Sequence, residues 1–209
     1  MFIKICGITN LEDALCAVES GADALGFNFY HRSPRYITPE DARRITERLP
    51  ATIMSVGVFV NESRPEQVAR IADVAGLTAV QLHGDESPEY CSAIRGRFTI
   101  KALSVKEGFD PQVVKKYQTD AIMLDAYAKD ARGGTGRVID WELAGRVRGL
   151  VPRLFLAGGL SPENIADAIT AVDPFAVDAC SSLESAPGKK NRELVRAFIT
   201  TARRARVKP

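Results

Sequence analysis

A repeating rhythm constrains this chain more than any single residue does. Eight short apolar, β-branched-rich runs fall at residues 2–5, 22–27, 53–60, 78–82, 98–103, 121–124, 153–157 and 175–177. They recur roughly every 25 residues, the size of a compact strand–loop–helix unit. Helix punctuation fills the gaps. Thr38-Pro39, Ser87-Pro88, Asp110-Pro111 and Ser161-Pro162 each set a capping side chain before a proline, which loses nothing at the first helical position. Thr9-x-x-Glu12 and Ser63-x-x-Glu66 fit the capping box, and the helix after Asp110 reads as short or irregular. Leu194, Val195, Phe198, Ile199 and Ala202 share one face of a last helix, with basic residues between them.

Runs such as Ile53-Met54-Ser55-Val56-Gly57-Val58-Phe59-Val60 are apolar at consecutive positions, as strands buried on both faces of a parallel sheet are. An open doubly wound sheet would carry a glycine-rich turn after its first strand, where this chain has Cys6-Gly7-Ile8-Thr9-Asn10. Eight strands alternating with helices instead predict an α/β fold, a single-domain (β/α)8 TIM barrel. The 209 residues are near the lower size limit for it, and no linker or charge block divides residues 1–209.

Composition narrows the partners. Twenty-eight Lys and Arg against 26 Asp and Glu leave a net charge of +2, which argues against nucleic acid. No run approaches a membrane span, and Met1-Phe2-Ile3-Lys4-Ile5-Cys6-Gly7 reads into a strand rather than a signal peptide, so a cytoplasmic location is expected. Cys6, Cys16, Cys91 and Cys180 lack paired spacing and predict reduced thiols. With only His31 and His83 in the chain, a multi-histidine metal site is not available.

In such a barrel the chemistry belongs at the C-terminal ends of the strands. Cys6 ends the first strand, Asn61 follows the third, Gln81 and His83 end the fourth, and Asp125 ends the sixth. Arg35 lies in the loop after the second, Gly158-Gly159 follow the seventh, and Asp178 with Ser181-Ser182 follow the eighth. Gly158-Gly159 and Ser181-Ser182 form either tight turns or a phosphate cradle, with the helix after Ser161 aiming its positive end at the site. Cys6 is either inert packing or a base toward a carbon acid, given nearby cations. Asp125, leaving an apolar strand, is either a loop cap or a partly desolvated general acid. Arg35 is either a surface residue of a polar loop or a bidentate partner for a substrate carboxylate, and His83 is either a structural strand-end residue or a hydrogen-bond partner for substrate. Cys16, Cys91 and Cys180 read as packing, and Asp13, Asp23 and Asp41 as helix or turn surface.

These residues fall within a longer series. Lys4-Ile5-Cys6-Gly7-Ile8-Thr9, Gly26-Phe27 with Ser33-Pro34-Arg35-Tyr36-Ile37, Val56-Gly57-Val58-Phe59-Val60-Asn61 and Gln81-Leu82-His83-Gly84-Asp85-Glu86 resemble the phosphoribosylanthranilate isomerase family. So do Leu124-Asp125, Gly133-Gly134-Thr135-Gly136 with Asp140-Trp141, Leu156-Ala157-Gly158-Gly159-Leu160 with Asn164, Val177-Asp178 and Pro187-Gly188-Lys189-Lys190. The matches run in order from residue 3 to about residue 190. The resemblance implies a (β/α)8 barrel and an Amadori rearrangement in tryptophan biosynthesis, without cofactor or metal, acting on a phosphosugar-anthranilate as a monomer or homodimer. It implies Asp125 as general acid, Cys6 as general base, Arg35 on the anthranilate carboxylate and Asp178 near the substrate nitrogen. Where the family often reads Ser-Ser-Gly, this chain has Cys180-Ser181-Ser182, and a hydroxyl at 182 can donate a replacement hydrogen bond.

Two rival readings share the barrel. Another phosphosugar enzyme would place an aspartate where Cys6 stands, or would need several histidines or acids as metal ligands. A non-catalytic barrel would keep the phosphate cradle and make Cys6 and Asp125 dispensable.

Overall fold

Strand and helix alternate into a closed barrel of eight parallel strands in the computed structural model, which describes residues 1–126 and 140–205. The strands are β1 (Phe2–Ile5), β2 (Ala24–Asn28), β3 (Met54–Phe59), β4 (Ala79–Leu82), β5 (Phe98–Val105), β6 (Ala121–Ala126), β7 (Leu154–Leu156) and β8 (Ala176–Ala179). Each pairs with its neighbour in sequence, and β1 closes on β8 with Lys4 opposite Asp178 and Ile5 opposite Ala179. Outside lie α1 (Leu11–Glu19), α2 (Pro39–Thr46), α3 (Pro65–Val74), α4 (Pro88–Ala93), α5 (Trp141–Arg148), α6 (Ile165–Val172) and α7 (Arg192–Ala205). Between β5 and β6 the connection is a 3-10 turn over Pro111–Lys116, as short and irregular as the sequence predicts. Val113 and Val114 within its six residues leave little α-helical propensity.

Period-two alternation divides each strand between two cores. Ile3, Ile5, Ile122, Leu124 and Val177 point outward and pack with the helices. Ala24, Val56, Ala79, Ile100, Ala121, Met123, Phe155 and Ala176 fill the barrel interior, with Phe2, Met54, Phe98 and Phe175 packed against them. The same parity puts Cys6 on the inward face above Lys4, Asp125 above Met123, His83 above Gln81 and Asp178 above Ala176.

Three helix starts differ from expectation. In α1 the cap is Asn10, whose Oδ1 accepts from Asp13 N at 2.8 Å, while the Thr9 side chain turns toward the hairpin and donates to the Gly188 carbonyl. Pro65 fixes the first turn of α3, so Arg64 holds the cap position and Ser63 Oγ turns to Gln67 Oε1 at 3.2 Å. Helix α6 begins at Ile165 rather than after Ser161. Asn164 folds back instead: its Nδ2 donates to Gly159 O and its Oδ1 accepts from Ser161 N, both at 2.9 Å.

After β8 a short 3-10 turn (Ser181–Leu183) leads into a hairpin of β9 (Glu184–Ala186) and β10 (Lys189–Lys190), turned at Pro187-Gly188 with Gly188 at φ +79°. This hairpin lies over the loop that follows β1. Asp13 is therefore buried and takes Lys190 N at 2.8 Å, while Asp23 accepts from Ile3 N at 2.7 Å and pairs with Arg203. Both were expected as surface groups; both hold elements together.

Candidate active site

A cavity sits at the C-terminal end of the barrel, with about 730 Å³ of empty space between its walls, the open solvent at its mouth included. Cys6, Arg35, His83, Asp125, Gly158, Gly159, Asp178, Ser181 and Ser182, all singled out from sequence, line it together. Asn28, Tyr30, Ser33, Gln81 and Cys180 line it too. The residue run 133–136 lies outside the described residues.

The thiol on β1 rests on space that only glycine leaves. A Cβ at Gly26 would come within 2.6 Å of Cys6 Sγ and 3.1 Å of Lys4 Nζ. A Cβ at Gly7, where φ is +77°, would meet Arg35 Cδ and Cys180 Sγ at 2.8 Å. Cys6 is held well below the ordinary thiol range: the Cys180 thiol donates to its sulfur, and the Lys4 and Lys190 ammonium groups favour the anion against burial. Cys180 takes the opposite direction, because it is the donor of that pair and is buried. We assign the anion to Cys6: Cys180 Sγ has the Glu184 carboxylate as a proton acceptor at 3.9 Å, which offsets Lys190 Nζ at the same distance, whereas Lys4 and Lys190 both favour the anion at Cys6.

Lys4 is fully buried, with Nζ 2.7 Å from Asp178 Oδ1. Burial alone would discharge the ammonium; Asp178 and Cys6 outweigh it and hold the proton on. Asp178 is pushed up to about 7: burial raises it most, Lys4 pulls against that, and Cys6 adds to the rise. One cation thus serves two acids.

Across the cavity Asp125 is 6% exposed. Its Oδ2 lies 3.2 Å from His83 Nε2, and His83 Nδ1 lies 2.8 Å from Gln81 Nε2. The loop carrying His83 is anchored by the buried Glu86 carboxylate, which accepts from Gly84 N, from Asn61 N at 2.8 Å and from Lys101 Nζ at 2.7 Å. Asn61 is thereby a loop anchor, outside the cavity lining.

Arg35 does not stand as an isolated cation. Its Nε and Nη2 meet the two oxygens of Glu184 at 2.8 and 2.7 Å, and Lys190 Nζ holds the same carboxylate at 2.9 Å. Burial opposes ionisation of Glu184, but these two cations keep it below the usual carboxylate range. The guanidinium edge left for a ligand is Nη1 with Nη2. Asn28 shapes the Arg35 loop: its Nδ2 donates to Ser33 Oγ, and its Oδ1 accepts from Tyr30 N.

On the rim, Gly158 and Gly159 are consecutive at φ +84° and +67°, and a Cβ at Gly158 would strike the Ala126 backbone. Successive backbone N–H groups in such turns form a concave anion seat. The Ser182 hydroxyl donates to the Leu160 carbonyl, so its hydrogen is already committed; what Ser181 and Ser182 offer an anion is backbone.

Sequence reading missed Lys4, Cys180, Glu184 and Lys190. Parity along β1 was a usable signal for Lys4, since it shares a face with Cys6. Nothing local marked the other three: Glu184 and Lys190 come in with the hairpin, and Cys180 with the pairing of β8 on β1.

Fold and cavity together define an acid–base enzyme of the TIM-barrel class, with a thiol, carboxyl groups and an anion seat at the barrel mouth. Residues 3–201 match the family model for N-(5'phosphoribosyl)anthranilate (PRA) isomerase. The chain belongs to that family. An N-(5'-phosphoribosyl)anthranilate isomerase of Rubrobacter xylanophilus is 49% identical over 204 residues, covering 96% of this chain and 98% of its own. The crystal structure of phosphoribosyl anthranilate isomerase from Thermotoga maritima superposes with a TM-score of 0.91 at 47% identity, over 97% of this chain and 98% of the other. A phosphoribosyl anthranilate isomerase in complex with reduced 1-(o-carboxyphenylamino)-1-deoxyribulose 5-phosphate gives 0.87 at 46% identity, with the same coverage.

Proposed function

We propose that this enzyme converts N-(5-phospho-β-D-ribosyl)anthranilate to 1-(2-carboxyphenylamino)-1-deoxy-D-ribulose 5-phosphate, the isomerisation step of tryptophan biosynthesis, with Asp125 as acid and Cys6 as base. The observation that carries this reading is that the two side chains, at the ends of β1 and β6, line one cavity together with Gly158 and Gly159.

Asp125 protonates the ribose ring oxygen; the C1–O bond breaks and the nitrogen lone pair forms a C1=N iminium. Cys6 as thiolate then removes the proton from C2. The released electron pair forms C1=C2 and neutralises the nitrogen, so the weak base works on an unusually acidic C–H. The enolamine becomes the ketone as C1 gains a proton and the C2 hydroxyl loses one. Lys4 and Cys180 keep Cys6 ionised, and Asp178 assists beside the substrate nitrogen. Arg35 offers its Nη1–Nη2 edge to the anthranilate carboxylate, and Gly158, Gly159, Ser181 and Ser182 seat the phosphate through backbone N–H groups. His83, with one ring nitrogen on Gln81 and the other on Asp125, orients Asp125. The four unpaired cysteines support a reducing, cytoplasmic setting, and no described helix is long and apolar enough to cross a membrane.

The test is fluorescence-monitored consumption of freshly made phosphoribosylanthranilate by the purified protein, by Cys6→Ala and by Asp125→Asn. Turnover by the parent and a loss of kcat of about a hundredfold or more in each variant are expected. Near-full activity in either variant would remove that residue from the chemistry.

A further inference from the structure

We propose that Cys6 and Cys180 form a peroxide-reactive modification site, joined as a reversible disulfide that takes the base out of action. The loss of activity rests on the reading of Cys6 as base; the bond itself does not.

The sheet sets the pair side by side. Ile5 lies opposite Ala179, and Cys6 N donates to Ala179 O at 2.9 Å, so Cys6 and Cys180 are the next residues on adjacent strands. Adjacent strands lie about 4.7–4.9 Å apart, within the Cα separation of about 4.4–6.8 Å that disulfides span. Both side chains line the same cavity, which gives a small oxidant access. Gly26 beneath one sulfur and Gly7 beneath the other leave no β-carbon in the way.

Their surroundings divide the roles. Cys6 faces the Lys4 and Lys190 ammonium groups, which favour the attacking thiolate. Cys180 lies against Glu184, with Lys190 Nζ 3.9 Å away to receive the negative charge once its proton leaves. The Cys6 thiolate attacks one oxygen of hydrogen peroxide; the O–O bond breaks, and the departing hydroxide takes a proton and becomes water. The Cys180 sulfur then attacks the resulting sulfenic sulfur, expelling the hydroxyl, which leaves as water with the Cys180 proton. Two thiols and one peroxide give one disulfide and two waters, with two electrons passing from sulfur to oxygen. Cys16 and Cys91 lie on α1 and α4, away from the cavity, and burial pushes Cys91 up to about 11, so neither competes.

The experiment treats the full chain with hydrogen peroxide and follows isomerase activity, free thiols and non-reducing peptide maps, before and after dithiothreitol. The expected result is activity lost in step with two thiols, a Cys6–Cys180 linked peptide, an intact mass lower by two hydrogens, and recovery on reduction. In Cys180→Ser, scored against its own starting activity, Cys6 should gain oxygen instead and lose its recovery as oxidation proceeds. Circular dichroism checks that this variant is folded. Oxygen on Cys6 of the parent with no linked peptide would overturn the proposal while leaving the base assignment standing. A linked peptide with activity intact would confirm the bond and overturn both the switching-off and the reading of Cys6 as base.

Discussion

Lys4 Nζ lies 2.7 Å from Asp178 Oδ1 inside the barrel, on paired strands whose register puts the two residues opposite each other. The ion pair forms the floor beneath the thiol, and its cation is the nearest positive charge a strand neighbour can supply to Cys6.

Replacing Lys4 by Met should therefore cost both stability and rate. Removing one partner of a buried pair leaves the other charge uncompensated, worth about 3–5 kcal/mol. Urea denaturation should show that loss, and adding Asp178→Asn should restore most of it. Turnover should stay low in the double variant, because the thiol still lacks its cation. Full activity there would detach Lys4 from the chemistry.

Gly26→Ala puts a methyl group 2.6 Å from Cys6 Sγ. The backbone there is ordinary strand, so the protein should fold, while the sulfur is displaced by a fraction of an ångström or more. A shift of that size typically costs about a hundredfold. Steady-state kinetics should place the loss in kcat; an unchanged kcat would mean the sulfur's position is unimportant.

The pH profile reports on the thiol directly. Cys6 is lowered in the folded protein, the reaction needs its anion, and activity is lost as pH falls through the folded value. The acid limb of kcat/KM should consequently lie below the ordinary thiol value of about 8.5. Cys180→Ala removes the S–H donor and should move the limb upward, whereas Cys180→Ser keeps a donor and should leave it nearly in place. A limb that stays fixed in Cys180→Ala would show that the donor does not tune the base.

Arg35→Lys keeps the charge and loses the planar fork. A lysine can still reach Glu184 or the substrate, but it cannot present one edge to each. KM should rise by about tenfold or more with a smaller change in kcat, as expected for a lost carboxylate contact. An unchanged KM would locate the anthranilate carboxylate elsewhere.

The barrel and the two reacting side chains were legible because both follow from periodicity. Eight apolar runs fix the strands, and their ends fix Cys6 and Asp125. Lys4 was readable by the same parity and was passed over, since a lysine in a strand usually marks the solvent face; here Asp178 on the partner strand reverses that preference. Helix starts at Asn10 and Asn164 were misplaced because tertiary partners, the Gly188 carbonyl and the Gly158-Gly159 turn, drew the Thr9 side chain toward the hairpin or reshaped the turn. Glu184, Lys190 and the role of Cys180 were out of reach. Glu184 and Lys190 enter through a hairpin signalled only by Pro187-Gly188, Cys180 meets Cys6 only through the closing pair of strands β1 and β8, and these contacts bridge far-separated parts of the chain.

That hairpin also fixes when the thiol acquires its character. Cys6 leaves the ribosome well before Cys180, Glu184 and Lys190. Until β8 docks and the hairpin folds over it, Cys6 lacks its donor and one of its cations. Nascent and partly folded chains therefore carry an unactivated thiol, and the reactive anion is a property of the closed barrel alone.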